Sequence, residues 1–394
     1  MSAIRVPGFT FAGVACGIKK SKKKDLALIF SEQPAVAAAL FTTNRVESPS
    51  VRVGRRRVER GKLQAVVVVS GNANACTGRR GLADAEEMSR EAARRLGIDR
   101  DLVLPSSTGM VGIPLPMEKV RSGIEDAAGQ LSADSFLQAA DAIRTTDRFI
   151  KVATASCALG GKKVTVAGMA KGAGMIAPNM ATMLAYILTD GAVEHRCLKR
   201  ILTRATNETF NCVTVDGDMS TNDTVLLLAN GVAVNSPVRS GKEEDVLFQA
   251  AHKVMKGLAL KLVEDGEGTT KVVEVRVQGA RSVSEARKVA FSVANSKLVK
   301  TAFYGEDPNF GRIMVAIGYA GVPVNPDKID VFFDSVPVVR RSVGLPANES
   351  RAAQVLKRHS FMVKIRLHQG KASASVWTSD LSHEYVRINS AYRT

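Results

Sequence analysis

Short apolar or β-branched runs alternate along the chain with longer amphipathic segments, which predicts strands interspersed with helices. The first third favours strands at Leu26–Ser31, Val36–Thr42 and Ala65–Ser70. A helix is predicted from Leu82 to Leu96, because acidic residues lie near its start and arginines near its end, and Gly97 marks its end. The polar stretch SGNANACTG, which follows the third strand from Ser70, is typical of a loop that lines a site.

The same alternation continues to the C-terminus. Further strands are predicted at Lys151–Ala155, Lys163–Ala167, Met183–Leu188, Cys212–Val215, Thr224–Leu228, Val272–Val277, Lys328–Phe333, Phe361–Leu367 and Ala372–Thr378. Helices are predicted at Ala133–Arg144, His195–Phe210, Glu243–Leu262 and Glu349–Arg358, and on both sides of YGEDPNFGRI within Ser282–Ala316. Strands mixed with helices in each half of the chain predict a layered α/β architecture with mixed sheets.

Candidate chemistry is densest in the run KGAGMIAPNMATMLAYILTD, which spans Lys171–Asp190. Gly172 and Gly174 allow a close approach of the backbone, and a single small step, Ala181 to Thr182, precedes the apolar strand. If the turn strains that peptide bond, the Thr182 hydroxyl can attack the preceding carbonyl. An N-to-O acyl shift followed by hydrolysis would then release a new N-terminus. The ordinary alternative is a β-branched threonine at the head of a strand.

A threonine released in this way would carry both a nucleophile and a base, because its own α-amine lies beside its hydroxyl. The reference pKa of an α-amine, about 7.7 to 8.0, leaves it partly neutral near physiological pH, so it can accept a proton without a histidine. None of the five histidines of the chain lies in a catalytic-looking motif. On these residues alone an ordinary β-branched threonine is the favoured interpretation, and self-cleavage that creates a threonine nucleophile is the alternative hypothesis.

Two other polar stretches carry candidate chemistry. In PSSTGMVGIPLP, which begins at Pro105, hydroxyls and glycines allow N–H groups to converge on one point, as an oxyanion hole requires. An ordinary Gly-Pro turn is the alternative there. TVDGDMSTNDTV, which begins at Thr214, contains three aspartates but lacks the glutamate at the twelfth position of a calcium loop. We expect a polar turn close to the site and no metal there.

Charge and composition narrow the class of protein. The 394-residue chain has a formal net charge of +17, and KKSKKK, from Lys19, has the sign of a nucleic-acid-binding cluster. No helix-turn-helix, zinc or aromatic platform accompanies it, so a solvated hairpin tip between strands is the favoured interpretation, and no nucleic-acid partner is expected. The excess positive charge would also concentrate anionic substrates. No apolar run approaches the roughly 20 residues that a membrane helix needs.

The cysteines indicate neither disulfides nor a metal. Five cysteines are widely separated and form no C-x-x-C pair, so neither a disulfide framework nor a zinc site is predicted. Cys76 and Cys212 are expected to be small buried hydrophobic residues rather than nucleophiles. The first residues lack the pattern of a secretory signal, so the cytoplasm is the expected compartment.

Several long motifs, in order along the chain, resemble one known family. The run at Lys171–Asp190 closely resembles the cleavage and nucleophile segment of the glutamate N-acetyltransferase (ornithine acetyltransferase) family of arginine biosynthesis. The resemblance extends over nearly the whole chain, through FTTNRVESPSV at Phe41, SGNANACTG at Ser70, SSTGMVG at Ser106, TTD at Thr145, TVDGDMSTNDTV at Thr214, DGEGTTK at Asp265, YGEDPNFGRI at Tyr304 and NSAYRT at the C-terminus. It implies a layered mixed-sheet α/β fold of the kind shared with self-cleaving aminopeptidases.

The resemblance also implies roles for individual residues. Thr182 matches the nucleophile, and the cleavage point lies between Ala181 and Thr182, which gives an α chain of residues 1–181 and a β chain of residues 182–394. The side chain of Thr108 and the backbone amide of Gly109 match the pair that stabilises the oxyanion. The implied substrate contacts, in addition to Thr182, are Thr145 (with Thr146 as the near alternative), Lys171, Glu267, Asn389 and Thr394. TTDRFIK departs at Arg148 and Ile150 from the family's usual TTDTFPK.

The implied activity is transfer of an acetyl group from N2-acetylornithine to glutamate through acetyl-Thr182, in a ping-pong cycle. Lys171 is expected to bind the substrate carboxylate, and Glu267 the cationic amine of ornithine. No cofactor is implied, although acetyl-CoA is a possible second acetyl donor, and the two chains are expected to associate as a heterotetramer. The alternatives are a self-cleaving aminopeptidase of related fold and a basic protein that binds nucleic acid.

Overall fold

The structure, a computed structural model, describes residues 3–177 and 183–391. The strands are β1 (Phe9–Val14), β2 (Leu26–Phe41), β3 (Lys62–Asn72), β4 (Val103–Met110), β5 (Lys151–Leu159), β6 (Lys162–Lys171), β7 (Leu184–Thr189), β8 (Val213–Thr214), β9 (Thr224–Ala229), β10 (Val272–Ala280), β11 (Asp330–Phe333), β12 (Val336–Arg340), β13 (Val343–Gly344), β14 (Ser360–Arg366) and β15 (Ala372–Ser379). The α-helices are α1 (Pro49–Val58), α2 (Gly78–Leu96), α3 (Met117–Gly129), α4 (Phe136–Ala142), α5 (His195–Glu208), α6 (Lys242–Glu264), α7 (Val283–Ala294), α8 (Lys297–Tyr304), α9 (Phe310–Gly318), α10 (Glu349–Leu356) and α11 (His383–Ala391).

The first sheet is mixed and has the strand order β4-β3-β2-β9-β7-β6-β5, with β1 paired to β2. Its central strands are apolar on both faces because both faces are covered. Successive residues of a strand point to opposite faces, so Leu184, Tyr186 and Leu188 of β7 join a core that includes residues of α1 and α4. Ala185 and Ile187 join a core that includes residues of α5 and α6. The sheet is therefore the middle layer of a three-layer arrangement.

The second sheet has the order β13-β12-β11-β14-β10-β15-β8 and comes almost entirely from the C-terminal third of the chain. Valines of β10, among them Val273 and Val275, pack in one core with apolar residues of α7, α9 and α10. The two-residue strand β8 joins this sheet parallel to β15. Since β8 is followed by β9 of the first sheet, the polar stretch between them connects the two sheets.

Strands from both sides of the Ala181–Thr182 step are interleaved in the first sheet. β7 pairs with β6 on one side and with β9 on the other. β9 in turn pairs with β2. In the order β2-β9-β7-β6, two strands that follow residues 181 and 182 therefore lie between two strands that precede them.

The predicted layered α/β architecture with mixed sheets is confirmed, and so are most of its elements. Helix α2 ends where the sequence indicates, with Gly97 in the left-handed region at φ 67°. KKSKKK connects the antiparallel strands β1 and β2, as expected of a hairpin tip. Cys212 is buried as expected, but Cys76 is exposed, so its prediction was wrong.

Other element predictions need correction. The strands predicted separately at residues 26–31 and 36–42 form one strand, β2, whose pairing with β3 shifts register between Phe30 and Ala35. The helix predicted from Ala133 to Arg144 is only Phe136–Ala142. The sequence interpretation missed α1 and α3. Residues 105–110, part of the stretch for which an ordinary Gly-Pro turn was the alternative interpretation, belong to β4. Among the described residues, no helix is long and apolar enough to cross a membrane.

Candidate active site

A cavity of about 220 Å³ lies where β4 and β6 end. Six of the residues that the sequence singled out line it: Thr108, Gly109, Thr145, Lys171, Glu267 and Asn389. Thr146, the alternative to Thr145, lines it as well. These residues come from five separate segments of the chain, so the fold brings together positions that are as many as 281 residues apart, from 108 to 389.

Thr108 and Gly109 lie at the end of β4, beside the end of β3. The register of these parallel strands shifts at Gly71 and Asn72, opposite Gly109. Such a bulge disrupts the ladder and re-aims backbone groups. Gly109 has φ 131°, and a Cβ atom there would lie 2.6 Å from the Asn72 nitrogen. Only glycine therefore fits this position without displacing the backbone of β3.

Lys171 is the last residue of β6, and its side chain is buried. Its Nζ donates to the Thr108 Oγ1 over 3.0 Å. Burial lowers the pKa of Lys171, against the opposing effect of carboxylates such as Asp147. Because the Thr108 oxygen accepts from Lys171, the Thr108 hydroxyl is still able to donate its own proton to another group.

Thr145 is held by the carboxylate of Asp147, which was not singled out in the sequence beyond its place in the TTD motif. Asp147 accepts from the Thr145 backbone N–H over 2.8 Å and from that of Gly172 over 2.7 Å. It also accepts from Lys151 Nζ over 2.6 Å. Burial alone would raise the pKa of Asp147, but the charges of Lys151 and Lys171 prevail and hold it well below its usual range.

Arg148, the departure from the usual family pattern, points away from the cavity toward Asp265. Its Nε donates to Asp265 Oδ1 over 3.0 Å, and its Nη2 donates to the Glu264 carbonyl over 2.8 Å. Asp265 is buried and also contacts Lys151. Arg148 therefore adds a partly exposed cation to a buried charge cluster that consists of Asp147, Lys151 and Asp265.

Glu267 and Asn389 also line the cavity. The Asn389 amide donates to Glu267 Oε2 over 2.8 Å, which links helix α11 to the turn after α6. A Cβ atom at Gly174 would lie 2.6 Å from the same carboxylate oxygen. The glycine in the Lys171–Gly174 turn is therefore what lets the Glu267 carboxylate approach that turn.

The stretch between β8 and β9 contributes more than the sequence indicated. Asn222 lines the cavity, and its amide donates to the carbonyls of Ala73 and Ser107 over 2.7 and 2.8 Å. Asp216 accepts from the backbone N–H groups of Met175 and Ile176 over 2.7 and 2.9 Å. The run of aspartates and asparagine in TVDGDMSTNDTV was the available signal for these roles. No group of three or more histidines, cysteines or carboxylates in the described parts of the chain is arranged to hold a metal ion.

Three residues singled out by the sequence, Ala181, Thr182 and Thr394, lie outside the described residues. The described residue nearest to Thr182 is Met183, whose N–H donates to Asp223 Oδ1 over 3.2 Å. The Met183 carbonyl accepts from the Thr224 N–H over 3.0 Å. The start of β7 is thus attached on both sides of its peptide to the start of β9.

Comparison with known proteins identifies the family. The model of the ArgJ family matches residues 10–394. The chain belongs to the ArgJ family. It is 49% identical over 393 residues to the arginine biosynthesis bifunctional protein ArgJ of Geobacter sulfurreducens, covering 99% of this chain and 100% of that protein. It is 47% identical over 392 residues to the ArgJ protein of Caldanaerobacter subterraneus, covering 98% of this chain and 97% of that protein.

A solved structure supports the same assignment. The crystal structure of ArgJ from Bacillus halodurans is 39% identical, with a TM-score of 0.51, and covers 52% of this chain and 98% of that one. The family resemblance inferred from the motifs is thereby confirmed, together with the predicted class of enzyme, an acetyltransferase of arginine biosynthesis. The roles expected of individual ArgJ-type residues remain predictions.

Proposed function

We propose that the chain is a precursor that cleaves itself between Ala181 and Thr182, and that Thr182 then carries an acetyl group from N2-acetylornithine to glutamate. The observation that carries this proposal is the convergence of Thr108, Gly109, Thr145, Lys171, Glu267 and Asn389 on one cavity. The same cavity includes Gly174 and Met175, in the segment that leads toward the cleavage point.

In the first half-reaction, the Thr182 hydroxyl attacks the acetyl carbonyl of N2-acetylornithine, and the Thr182 α-amine accepts the hydroxyl proton. The tetrahedral intermediate collapses by breaking its bond to the α-nitrogen of ornithine, which leaves with the proton. Acetyl-Thr182 and ornithine are the products. In the second half-reaction, the amine of glutamate attacks acetyl-Thr182, which releases N-acetylglutamate and restores the hydroxyl.

Thr108 and Gly109 stabilise the oxyanion in both half-reactions. Lys171 donates to Thr108 Oγ1, so the Thr108 hydroxyl can in turn donate a hydrogen bond to the oxyanion. The nearby lysine also strengthens this donor by polarising it. Loss of one such donor typically raises the barrier by about 2.7 to 4 kcal/mol.

Two charged residues that line the cavity suit the two charged ends of ornithine. Lys171 supplies a cation for the α-carboxylate, and Glu267, oriented by Asn389, supplies an anion for the side-chain ammonium. Asp147 fixes the backbone of Thr145 through a hydrogen bond, and this orients the Thr145 hydroxyl toward the substrate. Thr394, outside the described residues, is proposed to close over the substrate from the C-terminus.

The cleaved chains, residues 1–181 and 182–394, are proposed to stay together. The order β2-β9-β7-β6 supports this, because separating the chains would break two strand pairings in the middle of one sheet, β2 with β9 and β6 with β7. The solved Bacillus halodurans chain corresponds to 52% of this chain, which is close to the length of one cleavage product. We assign the assembly as a heterotetramer of two α and two β chains, in the cytoplasm.

Acetyl-CoA is proposed as a second acetyl donor, which would make N-acetylglutamate directly. The designation of the relatives as bifunctional supports a second activity. Transfer from the thioester to Thr182 releases the thiol of coenzyme A and forms the same acetyl-Thr182. Release of free thiol from acetyl-CoA in the presence of glutamate, followed with a thiol reagent, tests this assignment; no thiol above the enzyme-free rate would refute it.

Intact mass and N-terminal sequencing of the purified protein test the main proposal. We expect two fragments, one of which starts with Thr182, and conversion of N2-acetylornithine plus glutamate to ornithine plus N-acetylglutamate. Thr182→Ala should remain a single inactive chain. Thr154→Ala is a matched control, since Ala153–Thr154 is the same dipeptide within the regular strand β5, and it should be cleaved and active. A single uncleaved wild-type chain with full activity would refute the proposal.

A further inference from the structure

The segment that contains the cleavage point is held at both of its described flanks by one polar stretch, residues 214–224. On the upstream side, Asp216 accepts from the Met175 N–H over 2.7 Å and from the Ile176 N–H over 2.9 Å, through different carboxylate oxygens. The same oxygens also accept from the Tyr385 hydroxyl over 3.3 Å and from the Asp218 N–H over 3.2 Å. The Ile176 carbonyl accepts from the Val215 N–H over 2.8 Å. The upstream flank is therefore bonded through two consecutive residues.

On the downstream side, Asp223 accepts from the Met183 N–H over 3.2 Å, and the Thr224 N–H donates to the Met183 carbonyl over 3.0 Å. Asp223 is 1% exposed. Its second oxygen, Oδ2, has no hydrogen-bond partner in the described parts of the chain. Burial raises the pKa of Asp223 well above its usual range, against the opposing effects of the Met183 N–H, Lys171 and the Thr42 and Ser220 side chains. Burying this carboxyl group therefore costs the fold stability, so its place directly after the cleavage point needs a reason other than stability.

We propose that Asp216 and Asp223 are positioning residues that hold the two flanks, Met175–Ile176 and Met183, at a fixed separation, so that the Thr182 hydroxyl meets the Ala181 carbonyl. This inference rests on the proposed self-cleavage. No other group is needed for the step itself: the hydroxyl oxygen forms the new ester bond as the Ala181–Thr182 amide bond breaks and the amine takes the proton. Water then hydrolyses the ester.

The two aspartates should differ after cleavage. Once the bond between residues 181 and 182 is broken, Asp216 no longer has a covalent path to Thr182 through the 177–181 segment. Asp223 still holds Met183, the neighbour of the new N-terminal threonine. Asp223 therefore positions the nucleophile in the mature enzyme, whereas Asp216 acts mainly before cleavage.

The test follows the disappearance of the full-length chain during cell-free synthesis, for wild type, Asp216→Asn, Asp223→Ala and Asp223→Asn. Asn at 216 supplies one acceptor oxygen where two are used, and Ala at 223 supplies none, so cleavage should slow at least about tenfold in both. Asp223→Asn retains an acceptor for the Met183 N–H and should cleave within about threefold of wild type. The mature Asp223→Ala enzyme should then lose at least about tenfold in kcat, and mature Asp216→Asn should lose less than mature Asp223→Ala.

Asp190→Asn is the matched control. Asp190 follows the other end of β7, is 3% exposed and accepts from the Thr165 N–H over 2.7 Å, but it lies away from the cleavage point. It should cleave at the wild-type rate. The melting temperature of each variant combined with Thr182→Ala shows whether it folds without cleavage.

The outcomes separate this inference from the proposed function. If folded Asp216→Asn and Asp223→Ala cleave as fast as wild type, the positioning role is refuted while self-cleavage stands. If Asp223→Asn is as slow as Asp223→Ala, the role of Asp223 as a hydrogen-bond acceptor is refuted. If the wild-type chain itself never cleaves, the proposed function fails first. If Asp216→Asn does not fold, the cleavage rates of Asp223→Ala and Asp223→Asn still show whether a hydrogen-bond acceptor at position 223 is needed for cleavage.

Discussion

Asp147 and Asp223 are both buried near the charge of Lys171, but the pKa values of their carboxyl groups move in opposite directions. Asp147 receives two backbone N–H groups and Lys151, so neighbouring charges overcome burial and its pKa is held well below the usual range. Asp223 receives one backbone N–H, and burial raises its pKa well above the usual range. The difference shows that one carboxylate builds the site, whereas the other is held there at the expense of stability.

The largest effect is expected from Asp147→Asn, measured by urea unfolding in the uncleavable Thr182→Ala chain. The change removes the negative charge that pairs with buried Lys151 and accepts hydrogen bonds from the Thr145 and Gly172 backbones. We therefore expect the free energy of unfolding to fall by about 3 to 5 kcal/mol. Because the folded pKa of Asp147 lies below its unfolded value, this stabilisation is fully present above pH ~3.9 and is lost only as the pH falls further.

Asp134→Asn is the control for Asp147→Asn. Asp134 pairs with Arg5 at the surface, where both side chains are more than half exposed. Exposed ion pairs contribute little to stability because water screens them, so this variant should unfold almost as the parent does. Equal losses in the two variants would contradict the structural role assigned to Asp147.

Lys171→Met should act on activity more than on folding. It removes the proposed carboxylate partner of both substrates and the donor to Thr108, so kcat/KM for N2-acetylornithine should fall by about 10- to 100-fold. Burial lowers the pKa of Lys171, so the lysine loses its charge at a lower pH than an ordinary lysine does. As the pH is raised, the affinity of the wild type for N2-acetylornithine should therefore begin to fall before the ordinary lysine value of about 10.5 is reached.

Lys300→Met is the matched control, because Lys300 is also buried and also donates to a threonine hydroxyl, that of Thr378, over 3.0 Å. It lies in the second sheet region and does not line the cavity, so its kcat/KM should stay within about threefold of wild type. An equal loss of activity in both variants would contradict a specific role for Lys171 in substrate binding.

Asp223→Asn should sharpen the comparison by stabilising the fold. A raised folded pKa means that the folded state binds more protons than the unfolded state between pH ~3.9 and the folded value. The wild type therefore loses stability as the pH rises through that interval, by up to about 1.4 kcal/mol per pH unit, and asparagine does not. In the Thr182→Ala chain, the melting temperature of Asp223→Asn should exceed that of the parent at pH 7 and match it near pH 4. A variant that is less stable than the parent at pH 7 would contradict the raised pKa.

The sequence predicted the site better than it predicted the network that supports the site. Motifs singled out Thr108, Lys171 and Glu267 one by one, and their meeting in one cavity follows from sheet pairings between distant segments. The same motifs did not predict which of their carboxylates is ionised. That depends on burial and on donors elsewhere in the chain, such as Lys151 for Asp147, which no local pattern encodes.

Turn signals were also overridden by tertiary pairing. Pro105, Ser106 and Ser107 indicate a loop, yet they continue β4 because this strand lies at the edge of its sheet, where proline is tolerated. In the same way, the departure at Arg148 gave no indication of which residue its side chain contacts. The structure shows why the substitution is accommodated: Asp265, far along the chain, supplies a partner for the guanidinium.

Arg148→Thr, which restores the usual family residue, should have the smallest effect. The Arg148 side chain is 57% exposed, and Asp265 keeps its contact with Lys151, so stability should change by no more than about 1 kcal/mol. The Thr145 backbone is held by Asp147 and not by Arg148, so KM for N2-acetylornithine should not change. Arg200→Thr removes a comparably exposed arginine, which pairs with Glu244 far from the cavity, and serves as the control. A tenfold change in KM for Arg148→Thr but not for Arg200→Thr would mean that the charge of Arg148 affects substrate binding through Asp265 and Lys151. The conclusion that Asp147 alone fixes the Thr145 backbone would then be wrong.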